Sequence, residues 1–166
     1  MLARLIEFLA VYARGEPLML ERRAGWRTRL RWREAFAPDV YTNNGKRPTG
    51  RPWESLLDPR AQALLHMDAR EAYRNVAVPS RAYIFFDVGH GARREELSFC
   101  VDLADKPAHE AARLLVEGGP LCLDMYVTDG AFSWTMVWPH ERDYVPIFSF
   151  ARDASDPPAS EGSSHA

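Results

Sequence analysis

Six polar residues near the end of the chain, Asp124, Tyr126, Ser133, Thr135, His140 and Glu141, bring carboxylate, phenol, hydroxyl and imidazole groups into one short stretch. Residues two apart on a strand share a face, and residues opposed across a hairpin become neighbours. With Asp124 opposite Thr135 and Tyr126 opposite Ser133, four of these groups form one patch, and His140-Glu141 stands at its exit. An imidazole beside a carboxylate can titrate near neutrality, so His140 with Glu141 or Asp124 would suit a hydrolase. The plainer reading is an antiparallel sheet that turns one face to water, with Asp124 accepting a hydrogen bond from Thr135. On that reading the six residues are candidates for binding and none is catalytic.

Other chemistry is sparse. The histidines, His66, His90, His109, His140 and His165, are dispersed, and none lies at metal-ligand spacing from another. His140-Glu141 opens like a zincin motif, but Tyr144 stands where the second His must lie one helical turn later. Gly89-His90-Gly91 starts like a phosphate-binding loop, yet Arg94 replaces the third glycine and no suitable helix follows. Cys100 and Cys122 fall in apolar strand patterns, where a free Cys is usually a small buried hydrophobe. Metal and cofactor are therefore both read as none.

The hairpin that positions the patch has the best-specified local pattern. Asp129-Gly130 between two β-forming runs is a strong two-residue turn signal. Pairing Thr128 with Ala131 sets Val127 opposite Phe132, Met125 opposite Trp134 and Leu123 opposite Met136, so one face is wholly apolar. A one-residue slip would mix the two faces.

Before the hairpin, helical spacing of Leu2, Leu5, Ile6, Leu9 and Tyr12 predicts a helix over 2–14, and a second is expected over 18–36. The Pro-, Gly- and Asn-rich segment 37–52 reads as a loop. Asp58-Pro59 starts a short helix whose buried side is Leu64 and Leu65, and Asp68 with Glu71 has capping-box spacing for another ending before Pro79. Strands are expected at 81–87, where RAYIFFD is continuously apolar, and at 96–104, with a loop between. A short helix follows over 107–117, then strands at 121–128, 131–138 and 144–150, with Pro146 confining the last to an edge or bulge. The tail 153–166 lacks the apolar content to order itself. The fold class is α+β: one domain over 1–152, with an antiparallel sheet of about five strands and helices packed on one face.

Composition fits a soluble globular domain, with 166 residues, 46% hydrophobic and 27% charged. Arg4 and Glu7 interrupt the first apolar run, and no segment approaches the roughly 20 apolar residues of a membrane span. A cytoplasmic protein without membrane attachment is expected, of unstated oligomeric state. The net charge of −2 argues against bulk nucleic-acid binding. Residues 1–60 nevertheless carry 12 basic against 7 acidic groups and the remainder 9 against 16. Within the basic part, Arg22, Arg23, Arg27, Arg29, Arg31 and Arg33 interleave with Trp26 and Trp32. Such a run could grip phosphates and stack on bases, but no nucleic-acid motif accompanies it, and a solvated helix face is the preferred reading.

Phe132-Ser133-Trp134-Thr135 followed by His140-Glu141 resembles the closing hairpin of an uncharacterised bacterial domain-of-unknown-function family. Members of that family carry Asp-Phe-Ser-Trp-Thr, three residues, Thr-His-Glu, then Gly-Pro-Tyr-Phe. Here Ala131 replaces the Asp, Pro139 the Thr, and Val145-Pro146-Ile147-Phe148 keeps only the Pro and Phe. Residues 68–76 and Trp32-Arg33-Glu34-Ala35-Phe36 extend the likeness, which implies a fold rather than an activity. The leading expectation is a small non-enzymatic binding or regulatory protein that recognises a protein partner through the polar hairpin face or the long loop.

Overall fold

The computed structural model of the chain describes residues 2–37, 52–57, 61–90, 93–107, 122–140 and 145–151. Helix α1 spans Leu2–Ala10, strand β1 Leu18–Met19, helix α2 Arg22–Phe36 and a 3-10 helix Pro52–Leu57. Strand β2 (Leu64–Leu65) leads directly into α3 (His66–Asn75). The remaining strands are β3 (Ala82–His90), β4 (Arg93–Val101), β5 (Cys122–Asp129), β6 (Trp134–Trp138) and β7 (Ile147–Phe150). They form one seven-stranded sheet in the order β1-β4-β3-β5-β6-β7-β2, and every neighbouring pair is antiparallel.

The α+β class holds, with two more strands than expected because β1 and β2 extend the sheet edges. Both lie in segments expected to be helical, and Leu64 and Leu65 pair with Phe148 and Ile147 in the sheet instead of facing inward from a helix. The first helix stops at Ala10, since Ala13 bridges Leu103 and the Arg14 N–H bonds the Asp102 carbonyl. Helix α3 is capped at Leu65 without a side-chain bond, so Asp68 lies inside its first turn and the capping box does not form. At its other end the Lys106 ammonium donates to the carbonyls of Tyr73, Arg74 and Val76, closing the negative end of the helix. Pro52, the last residue of the segment expected as loop, opens the 3-10 helix, and β3 and β4 run further than expected into the segment read as a loop between them. The start at Asp58-Pro59, the helix body over 108–117 and the tail 153–166 lie outside the described residues.

Helices pack on both faces of the sheet, which corrects the expectation of one. On the first face, Leu5 and Leu9 of α1 and Ala69 and Tyr73 of α3 close over Ile84, Phe86, Phe99, Met125, Val127, Trp134, Met136 and Phe148. On the second, Trp32 and Phe36 of α2 and Trp53 and Leu56 of the 3-10 helix cover Tyr83, Phe85, Tyr126, Val137 and Ile147. Strand β3 is thereby buried on both sides from Ala82 to Phe86, the burial that a continuously apolar run serves.

The central hairpin keeps its faces and changes its register. Thr128 pairs with Thr135, four residues beyond the expected Ala131, so Val127 lies opposite Met136, Tyr126 opposite Val137 and Met125 opposite Trp138. An even shift leaves each side chain on its own face. The turn is not a two-residue Asp-Gly turn, because residues 130–133 connect the strands and the positive φ, 61°, belongs to Phe132. Asp129 holds this loop by accepting from the Ser133 N–H and hydroxyl, both at 2.7 Å. Phe132 leaves the Met125 face and packs on the opposite one, stacked on Tyr83 with ring centroids 5.3 Å apart.

Candidate functional site

The polar side of the hairpin does not meet water. Asp124 is 2% exposed, Tyr126 1% and Thr135 0%, because α2 and the 3-10 helix lie across them. Gly25 lets α2 come this close: a Cβ there would sit 3.2 Å from both Cβ and Oγ of Ser98 on β4. The helix thus turns Arg29 and Trp32 down onto the sheet.

Each buried polar group then requires a partner, since an unpaired one costs about 1–3 kcal/mol. The Arg29 guanidinium donates to Ser98 Oγ at 3.0 Å, to the Phe86 and Leu97 carbonyls at 2.9 Å each, and to the Asp87 carboxylate. Its Cζ also lies 5.3 Å from the Phe85 ring centroid. Trp32 Nε1 donates to Thr135 Oγ1 at 2.8 Å, and that hydroxyl in turn donates to the Val127 carbonyl. Asp124 accepts from Trp53 Nε1 on one oxygen, and on the other from the His140 N–H at 2.9 Å, with His140 Nδ1 at 2.7 Å.

Tyr126 sits at the centre of this layer. Its hydroxyl is buried with no hydrogen-bond partner among the described residues. Burial first, and then the carboxylates of Asp87 and Asp124, hold its phenol well above the ordinary tyrosine range; Arg29 and the nearby Trp53 backbone oppose this weakly. A crevice lined by Arg29, Trp32, Arg33, Pro52, Phe85 and Tyr126 adjoins it, with room for roughly one water molecule.

Of the six residues singled out from sequence, Asp124, Tyr126 and Thr135 share one buried face, and His140 joins them by its bond to Asp124. Ser133 does not; it is exposed in the hairpin loop and bonds Asp129. Glu141 lies outside the described residues. The expected Thr135-to-Asp124 bond is absent, replaced by bonds to Trp32 and Trp53, whose rings approach from above the sheet. Pairing of His140 with Asp124 is one of the two arrangements the sequence offered.

Sequence reasoning missed Arg29, Trp32, Trp53, Asp87 and Ser98 as members of this layer. One signal was available: Arg29, Trp32 and Phe36 fall on a single helical stripe, and an Arg on an apolar stripe implies a buried partner. No protein-family model, curated protein or solved structure matches the chain.

Chemically, the layer is built to hold α2 and the 3-10 helix on the sheet. A buried carboxylate that orients an imidazole through Nδ1 is also the orienting half of a hydrolytic triad. Among the described residues, the crevice beside Tyr126 is not lined by His140.

Proposed function

We propose that this chain acts by binding another protein, without catalysis. The observation that carries this reading is the closure of the polar layer. Arg29 with Asp87 and Ser98, Trp32 with Thr135, and Asp124 with Trp53 and His140 are already one another's partners, beneath α2 and the 3-10 helix. A substrate would have to lift one of those helices to reach Asp124 or Thr135, which are 2% and 0% exposed. Recognition through the polar hairpin face is set aside for the same reason, and the outer surfaces remain.

The test is quantitative cross-linking of tagged full-length chain at native abundance, followed by calorimetry with the purified components. A stoichiometric protein partner that binds reversibly in calorimetry is the expected result. Hydrolysis of any ester, amide or phosphoester by the purified chain, lost in a folded His140→Ala variant, would replace this reading with a catalytic one. The 2.7 Å contact between His140 and Asp124 favours that second reading.

A further inference from the structure

Helix α2 carries an unusual charge placement on its outward side. The positive end of a helix dipole favours acidic groups in the first turn and disfavours basic ones. Here the first turn holds Arg22 and Arg23 and no acidic residue, and Glu21 at the N-cap makes no side-chain capping bond. The two guanidinium groups act against the dipole at this end of the helix, and only the Glu21 carboxylate acts with it.

Trp26 follows one turn later on the same face, 55% exposed. The other four tryptophans are at most 6% exposed. The side chains of Trp26, Arg22, Arg23 and Arg27 make no hydrogen bond, ion pair or ring contact among the described residues. Three exposed arginines thus lie within about one helical turn of an open indole. Leu18, on β1 just before the helix and opposite Cys100 on the α2 side of the sheet, adds exposed apolar surface at 64%.

We infer that the outward stripe of α2, centred on Trp26 and ringed by Arg22, Arg23 and Arg27, docks an acidic segment of a partner protein. This rests on the protein-binding reading above and names the surface and the chemistry of its partner. Anionic side chains would supply what the helix end lacks, and an apolar residue among them would cover the indole. Trp and Arg are also the side chains most enriched among interface residues that dominate affinity.

A polynucleotide fits less well. Arg29 is consumed by Asp87, and Arg31 lies over the Phe132 ring at 4.7 Å. Single-strand binders stack successive bases on several aromatic rings, whereas this stripe presents one. The exposed side chain of Leu18 would have no role on a phosphate backbone.

The experiment pans a displayed library of random short peptides against the full chain and measures selected peptides by fluorescence anisotropy. Peptides rich in Asp and Glu around an apolar residue are expected. Trp26→Ala should weaken them roughly 30-fold or more, Arg23→Glu should abolish binding, and Met67→Ala on the far side of the sheet should leave it unchanged. Because Arg23→Glu removes a charge from the wrong end of the helix, it should raise the Tm of the unbound chain while binding is lost. That opposition of sign separates a docking role from a structural one.

Failure to select peptides, selection without acidic residues, or equal binding by the Trp26→Ala and Arg23→Glu variants overturns the proposal. So does a single-stranded oligonucleotide that binds at low salt where no peptide does, with a log-log salt slope near −2 from three phosphate contacts. A protein partner recovered by cross-linking that binds both variants as tightly as the parent chain rejects this surface and keeps the protein-binding reading. Recovery of no partner rejects both.

Discussion

Arg29 and Tyr126 lie side by side in the buried layer and differ in how far their polar atoms are satisfied, which makes opposite predictions for their removal. Arg29→Met leaves the part-buried Asp87 carboxylate without its cation and the Ser98 hydroxyl and two carbonyls without their donor, and should cost about 2–4 kcal/mol in denaturant unfolding. Adding Asp87→Leu should recover most of that loss, because the stranded charge goes with it. Tyr126→Phe removes a hydroxyl that has no partner among the described residues, so stability should fall by less than about 1 kcal/mol or rise. A loss of several kcal/mol would mean that the hydroxyl is bonded after all.

Ionisation of the two buried phenols gives a pH prediction. Burial raises the Tyr126 phenol most, with Asp87 and Asp124 adding to it, and it raises Tyr73 most too, with Asp105 and Tyr12 adding. Both groups therefore release protons later in the folded chain than in the unfolded one. The stability tied to them is whole below about pH 10 and declines as pH rises through the folded values. Unfolding followed upward from about pH 9 should show that decline. It should be shallower in the double variant Tyr73→Phe/Tyr126→Phe, and an equal slope in both proteins would contradict the assignment.

Among the elements, the central hairpin shows how much alternation alone can specify. The face shared by Leu123, Met125, Val127, Trp134 and Met136 follows from the two-residue repeat of a strand, and any even shift of register preserves it. The shift itself is set by Phe132. That ring gains burial against Tyr83 and a guanidinium from Arg31 only if the strand starts later, at Trp134. A positive φ for a bulky residue, costing on the order of 1 kcal/mol, is offset by that packing. Trp134→Ala should lower stability by about 3–5 kcal/mol, read by chemical denaturation. Phe132→Gly relieves the backbone yet should still destabilise, since the lost ring outweighs the strain; a neutral result would show that the turn, not the ring, sets the register.

Considered as one molecule, the chain spends part of its charge asymmetry on joining its own halves. Arg14 pairs with Asp102 and Arg29 with Asp87, in each case a basic residue of the first 60 against a carboxylate of the remainder. Arg22, Arg23 and Arg27 of α2 stay exposed, on the same helix as the open indole of Trp26. Iodide should therefore quench mainly this one indole. Trp26→Phe should remove the quenchable fraction of emission and move stability by less than about 0.5 kcal/mol. Equal iodide quenching before and after the substitution would place another tryptophan at the surface.

Class of fold, the positions of the five main strands along the chain and the shared faces of the hairpin were legible because they depend on local periodicity, which each segment carries in its own residues. The continuous apolar run of β3 also held the information that both faces of the sheet are covered, although helices on one face were the expectation drawn. What lay beyond local pattern was the identity of the cover. Trp32 meets Thr135 across 103 positions, Trp53 meets Asp124 across 71 and Arg29 meets Asp87 across 58. A polar alternation on a strand looks the same whether water or an indole N–H satisfies it. Only the packing of α2 and the 3-10 helix decided that Asp124, Tyr126 and Thr135 are interior, and that Trp26, indistinguishable from Trp32 by composition, is open to solvent.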